Sequence, residues 1–151
     1  MEKLKASPED LAVLSRLLRK VEFFSGLSVA QIDNVLRFIL YYGYRTGETV
    51  FRQGDLGDAF YMVHDGGFEV AVKTWLPFFP RKIARLGPGD CFGEMALLLG
   101  SPRTATVRAD APSKLFALTR SDFDFFLGEN PVFAAEIKRI AERRRIEDSN
   151  K

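Results

Sequence analysis

Residues 92–107 read FGEMALLLGSPRTATV and place two opposite charges in a largely apolar run. Glu94 and Arg103 stand nine positions apart, among residues of the kinds that proteins usually bury. The two side chains must therefore pair with each other or bind something that is not part of the chain. A buried ion pair is the less favourable arrangement, because both partners lose their hydration.

The residue types in this stretch suit a phosphorylated sugar. The guanidinium of Arg103 offers a planar set of donors that matches phosphate oxygens. The letters MALLL predict a short helix whose free N–H groups would favour an anion, and Gly93 allows a close backbone approach. A phosphate would repel Glu94, so this carboxylate should accept hydrogen bonds from neutral hydroxyls. A nucleotide ribose phosphate satisfies both charged residues.

The composition indicates one globular domain. The chain has 151 residues, of which 46% are hydrophobic and 28% are charged, and its 14 phenylalanines predict an aromatic core. The net charge of +2 gives no support for nucleic-acid binding. The single Cys91 excludes an intramolecular disulfide and indicates a reducing, cytoplasmic location. No apolar run reaches the roughly 20 residues that span a bilayer.

Helices are predicted on both sides of a central run of strands. Ser7 and Ser28 each begin a capping pattern before a helical apolar periodicity, which predicts two helices within residues 1–42. The pair Asn130–Pro131 predicts the start of the last helix, within residues 121–147.

Residues 43–120 alternate between apolar and polar positions, and turn signals recur at short intervals. This pattern predicts seven or eight strands in a sandwich or barrel. The clearest hairpin is predicted over residues 59–72, with Asp65–Gly66 as its turn, and a second strand pair is predicted over residues 81–92. A cap-like Ser121 marks the return to helix. The whole order predicts an α+β fold in which helices flank a β-roll.

Several motifs are similar to those of one family. Residues 92–107 resemble the phosphate-binding cassette of cyclic-nucleotide-binding domains, whose usual form is F-G-E-[LIM]-A-L, a spacer and P-R-[AST]-A-x-V. RTGETVFRQGD, DAFYMVHDGGFEVAV and VEFFSGLSVAQIDNVL resemble the family's strand and turn, its hairpin and its preceding helical segment. The resemblance covers residues 21–119 and implies an eight-stranded jelly roll, or double-stranded β-helix, within a single domain at 1–151. Thr46 departs from the usual proline, in a turn outside the site.

The resemblance implies a non-catalytic sensor that binds cAMP or cGMP and needs no cofactor or metal. It assigns the ribose 2′-hydroxyl to Glu94 and the cyclic phosphate to Arg103. The remaining implied contacts around the phosphate come from the cassette residues Gly93, Met95, Ala96, Thr104 and Ala105.

The base is expected to lie against apolar strand residues such as Val72 and Leu86. In the family a residue of the last helix covers the base, and the register from Pro131 favours Arg144, with Arg143 and Ile146 as neighbours. Thr104 permits hydrogen bonding to the amino group of guanine, but it leaves the choice between cAMP and cGMP open.

Three roles stay open: a sensor module, a regulatory fragment of a transcription regulator, kinase, channel or transporter, and a structural module that has lost its ligand. The intact Glu94 and Arg103 disfavour the third role. If the chain is complete, no second helix is left to serve as a recognition helix, and we then expect no direct DNA binding by residues 1–151. The chain has one histidine, His64, and no metal-ligand cluster, which disfavours a metal-dependent β-barrel enzyme.

Two surface features complete the predictions. The last helix could pair with a copy of itself in a homodimer, whereas the sequence does not identify an effector protein. The segment WLPFFP at residues 75–80 stands at a predicted hairpin tip. We expect it to fold back over the roll rather than bind a partner or a membrane surface.

Overall fold

The computed structural model describes residues 1–75 and 79–149, which form two sheets flanked by helices. The N-terminal elements are β1 (Glu2–Leu4), α1 (Pro8–Lys20), a 3-10 helix (Glu22–Phe24) and α2 (Val29–Leu36). The roll contains β2 (Leu40–Tyr44), β3 (Thr49–Phe51), β4 (Ala59–Asp65), β5 (Phe68–Val72), β6 (Arg81–Leu86), β7 (Cys91–Phe92), β8 (Thr106–Ala109) and β9 (Ser113–Thr119). The other helices are α3 (Met95–Leu98), between β7 and β8, and α4 (Arg120–Glu129) and α5 (Pro131–Ser149), after β9.

The strand pairing is that of a jelly roll. The two sheets have the orders β1-β2-β9-β4-β7 and β3-β8-β5-β6. Strands β2 and β9, β3 and β8, β4 and β7, and β5 and β6 therefore form nested antiparallel pairs, as in one long hairpin wound into two layers. The predicted α+β fold with an eight-stranded roll is confirmed. The additional strand β1 pairs with β2 at the sheet edge, and its three residues are too few to show a periodicity.

The hairpin predicted over residues 59–72 is wrong, because β4 and β5 belong to different sheets. The turn at Asp65–Gly66 carries the chain from one sheet to the other, and β6 and β7 within residues 81–92 are likewise in different sheets. Local alternation predicts strands and turns, whereas their pairing depends on burial between the layers. Phe68 at the start of β5 and Leu115 within β9 are both fully buried in the cluster between the two sheets.

Helices α1 and α4 pack on the outer face of the five-stranded sheet, and α5 packs on α4 and the 3-10 helix. Phe60 of β4 and Phe116 of β9 are fully buried in the same cluster as helical residues such as Phe123. Ser7 and Ser28 form the predicted capping boxes. The cap of α4 is Thr119 rather than Ser121, since the Thr119 hydroxyl accepts a hydrogen bond from the Asp122 amide at 3.2 Å.

Gly66 can be tested as a residue that the sheet crossing requires. Its φ is +82°, and an added Cβ would lie 2.2 Å from the Ser113 hydroxyl oxygen and 2.5 Å from the Pro112 carbonyl oxygen. Gly66→Ala should therefore lower the free energy of unfolding by more than the roughly 1–2 kcal/mol of left-handed strain alone. Gly47→Ala is the matched control, since its φ is +92° and nothing lies within 4 Å of the added atom. Urea unfolding of both variants provides the measurement, and equal losses would contradict the steric account.

Candidate functional site

The cassette residues form one wall of a cavity of about 730 Å³. This volume lies within the range of roughly 300–1,000 Å³ that is usual for small-molecule sites. The residues that line it are Phe51, Val70, Ala84, Leu86, Cys91, Phe92, Gly93, Glu94, Met95, Ala96, Ser101, Pro102, Arg103, Thr104, Ala105 and Val107. Strands β3, β5, β6 and β8 supply an apolar wall, and the segment from β7 to the start of β8 supplies the polar groups.

The guanidinium of Arg103 is buried in this polar wall, with 6% of the residue exposed. Its Nη2 donates to the Ala59 carbonyl oxygen at 2.7 Å, and its Nη1 donates a longer bond of 3.4 Å to Gly93 O. The Cζ atom lies 4.1 Å from the ring centroid of Phe51, in a cation–π contact. Its Nε is buried without a hydrogen-bond partner among the described residues. A buried donor of this kind is a destabilising feature that an anionic acceptor would relieve.

The charge of Arg103 has no buried counter-charge within the described residues. The carboxylate that pairs with it belongs to Asp58, at 3.9 Å, and 81% of that side chain is exposed to solvent. Such a long, hydrated contact contributes little. Burial is the main cause that lowers the pKa of Arg103 below its usual value. The local electrostatics therefore favour a bound anion.

Gly93 makes room for this guanidinium. Its φ is +78°, and an added Cβ would lie 2.5 Å from Arg103 Nη1. Gly93, two positions before α3, must therefore be glycine for the arginine to lie as it does. The close approach of Arg103 gives a steric reason for the glycine in the F-G-E part of the cassette motif.

Glu94 does not pair with Arg103, although the two are neighbours on the cavity wall. Its Oε1 instead lies 3.0 Å from Nη1 of Arg144 on α5, and 39% of the Glu94 side chain is exposed. Arg144 also lies 3.6 Å from Glu22 in the 3-10 helix and contacts the Met95 sulfur at 3.9 Å. The sequence analysis expects Arg144 near the base, whereas the structure places its guanidinium beside the Glu94 carboxylate. Its side chain is 16% exposed, compared with 57% for Arg143.

The backbone amides expected near the anion differ in availability. The Ala96 amide already donates to Gly93 O at 3.1 Å. Helix α3 has only four residues, so it offers little of the dipole that the MALLL pattern predicts. Thr104 and Ala105 follow Arg103 on the wall, Thr104 exposed and Ala105 buried. Among the groups expected near an anion, the Arg103 guanidinium is the one that keeps a buried donor without a partner in the described residues.

The apolar wall agrees in part with the expected base contacts. Leu86 lines the cavity, but Val70 takes the place expected for Val72, which pairs with Arg81 at the end of β5. The sequence reasoning missed Phe51, which lies beneath the guanidinium. Its position at the end of an alternating run in the RTGETVFRQGD motif was the available signal.

His64 and the metal-ligating residue types have other surroundings. His64 Nδ1 is hydrogen-bonded to the Tyr41 hydroxyl at 2.7 Å, and its ring stacks on Phe116. These contacts describe a structural role.

Over residues 1–75 and 79–149, no group of three or more His, Cys, Asp or Glu side chains could hold a metal ion. In the same residues, no helix is long and apolar enough to cross a membrane.

Comparison with known proteins assigns this architecture to a family. The model of the cyclic nucleotide-binding domain family matches residues 43–130. The Cyclic AMP receptor protein of Thermus thermophilus is 36% identical over 121 residues, which cover 80% of this chain and 56% of that protein. The chain thus spans little more than half the length of this relative, and less of a potassium channel protein from Rhodopseudomonas palustris.

Solved structures of other proteins are similar to this chain over most of its length. The N-terminal domain of a transcriptional regulator from Streptomyces coelicolor A3(2) has a TM-score of 0.75 and 30% identity, over 89% of this chain and 92% of that one. The cAMP-bound structure of PfPKA-R has a TM-score of 0.74 and 25% identity, over 82% of this chain and 44% of that one.

The thiol of Cys91 reports on the cavity wall. Burial, followed by the nearby Glu94 and Asp90 carboxylates, raises the pKa of Cys91 to about 11. The raised pKa lowers the thiolate fraction near neutral pH by roughly 100-fold relative to a thiol of pKa about 9. Because a thiolate of higher pKa is the stronger nucleophile, alkylation by iodoacetamide should be slower by roughly tenfold or more. The logarithm of the rate should rise with pH, without a plateau, from about pH 7 to about pH 10. Glutathione serves as the reference thiol, and a plateau below pH 10 would contradict the assignment.

Proposed function

The chain belongs to the cyclic nucleotide-binding domain family, and we propose that it is a non-catalytic sensor that binds cAMP or cGMP in the cavity beside Arg103. The observation that carries this proposal is the buried guanidinium, which has neither a partner for Nε nor a buried counter-charge among the described residues. A cyclic phosphodiester supplies a single negative charge and acceptor oxygens, and it suits one arginine. The identity of the base stays open between adenine and guanine.

The cavity walls support one orientation of the nucleotide. The cyclic phosphate would accept hydrogen bonds from Arg103, and the ribose 2′-hydroxyl would donate to Glu94. Oε1 of Glu94 pairs with Arg144, and the sugar hydroxyl would bind the second carboxylate oxygen. The base would then contact the apolar wall that includes Val70 and Leu86. Thr104 is exposed on the wall, and its hydroxyl would be able to hydrogen-bond the amino group of guanine.

The output would be a change in the C-terminal helices. Leu97 and Leu98 of α3 belong to the same buried cluster as Phe123 and Phe133 of α4 and α5. A ligand that shifts the cassette would therefore disturb this packing, and closed and open arrangements would change in population. Phe125, by contrast, is 57% exposed and packs on Phe38.

A regulatory part of a larger protein is the second candidate. It is supported by the length comparison, since the alignment spans 56% of the receptor relative. In that case the nucleotide site would be the same, and α5 would transmit the signal to a further domain. The DNA-binding, kinase, channel or transporter identity of such a domain is not specified by residues 1–151.

Calorimetric titration with cAMP and cGMP tests the proposal. At least one nucleotide should bind, and Arg103→Leu should weaken its binding by about 2–5 kcal/mol, because the phosphate loses its charged partner. Arg108→Leu is a matched control, since Arg108 is an exposed arginine that lies near Glu69 on another face. Absence of binding by both nucleotides, or unchanged affinity in Arg103→Leu, would refute the proposal.

Arg144 should couple the cavity to α5. Hydrogen exchange of the α5 amides should change when nucleotide binds to the unaltered chain. In Arg144→Ala the nucleotide should still bind through Arg103, but the exchange of α5 should no longer respond, because the link to Glu94 is absent. Arg139→Ala is the control, since Arg139 pairs with Glu136 within the same helix. An intact response in Arg144→Ala would contradict this route of coupling.

A further inference from the structure

The segment between β5 and β6 presents exposed aromatic side chains away from the nucleotide cavity. Trp75 is 87% exposed and Phe79 is 70% exposed. The expectation that this tip folds back over the roll is therefore wrong for these two residues, while Leu76, Pro77 and Phe78 lie outside the described residues. Large aromatic side chains this exposed have lost the benefit of burial, which suggests that something covers them in use.

Hydrogen bonds fix the neck of this tip. The Thr74 hydroxyl donates to the Phe79 carbonyl oxygen at 3.1 Å, across the base of the loop. The Lys73 amide donates to the Gln53 side-chain oxygen at 2.7 Å, which ties the loop to the segment after β3. Trp75 and Phe79 thus project from a defined base.

The surroundings of the two aromatics are cationic. Lys73, Arg81 and Lys82 are exposed on either side of them, and the sequence from 70 to 84 contains neither Asp nor Glu. Glu69 in β5 is an acidic neighbour, and its carboxylate lies 3.7 Å from Lys82 and 4.0 Å from Arg108. The tip therefore keeps a net positive charge.

We propose that this tip docks on an anionic membrane surface, with Trp75 and Phe79 inserted at the level of the headgroups and the flanking cations held near lipid phosphates. Aromatic side chains beside lysine and arginine are the combination that binds membrane interfaces. A protein partner fits less well, because lysine is depleted in the centres of protein interfaces. Neither Trp75 nor Phe79 lines the cavity beside Arg103, so the proposal treats docking and nucleotide binding as separate properties of the chain.

The fluorescence of Trp75 tests this directly, since it is the only tryptophan in the chain. Vesicles of phosphatidylcholine containing about one third phosphatidylserine should shift its emission to shorter wavelength by several nanometres and should sediment the protein. High salt should weaken this binding by screening the cations. No shift with the anionic vesicles, or an equal shift with pure phosphatidylcholine, would overturn the proposal.

Variants that keep Trp75 separate the contribution of the aromatic side chains from that of the flanking cations. Phe79→Ser should weaken partition onto anionic vesicles, and Lys73→Glu with Arg81→Glu should weaken it by roughly tenfold or more. Lys5→Glu with Lys20→Glu is the control of equal charge change at exposed lysines elsewhere, and it should bind vesicles more strongly than the tip pair. Equal losses in the two double variants would overturn a specific role for the tip. Nucleotide titration of the tip variants should be unchanged, which keeps the two proposals distinguishable.

Discussion

Within the part of the chain that the structure describes, the guanidinium of Arg103 is buried without a buried counter-charge, and the geometry of the cassette depends on holding it there. The backbone around it is fixed from the neighbouring loop: the Arg103 amide donates to Asp55 O, and the Gly54 amide donates to Arg103 O, both at 2.8 Å. Carbonyl oxygens and an aromatic face stabilise the cation in part. They cannot neutralise its charge, so the remaining electrostatic potential is directed at whatever occupies the cavity.

Strands β4 and β9 lie between the interior of the roll and the helices, so both faces of these strands are buried. One face, which includes Val63 and Leu115, packs within the roll, and the other, which includes Phe60 and Phe116, packs against the helices. Close packing of this kind leaves few small adjustments available. A displacement at the cassette is therefore more easily taken up by α5, whose contact with Glu94 is polar and partly exposed.

The sequence predicted the helices, the strands and the family better than it predicted which residues contact one another. Caps at Ser7 and Ser28, the α+β order and the family were confirmed, because capping and alternation are local properties. The pairing partners of β4 and β5 were not predictable, since a glycine turn can close a hairpin or cross between sheets. The Glu94–Arg144 contact joins residues distant in sequence, and no local pattern reports such a pair.

The nested pairing of the roll also governs when the cavity can exist during folding. The outermost pair aligns Leu40 with Ala117, whereas the innermost pair joins adjacent strands β5 and β6. Closing such long loops is entropically unfavourable, and topologies dominated by distant contacts fold slowly. During synthesis, Arg103 emerges before β9 has been made. Strand β9, which pairs with both β2 and β4, is made after Arg103, so the complete roll around the cavity forms late in the synthesis of the chain.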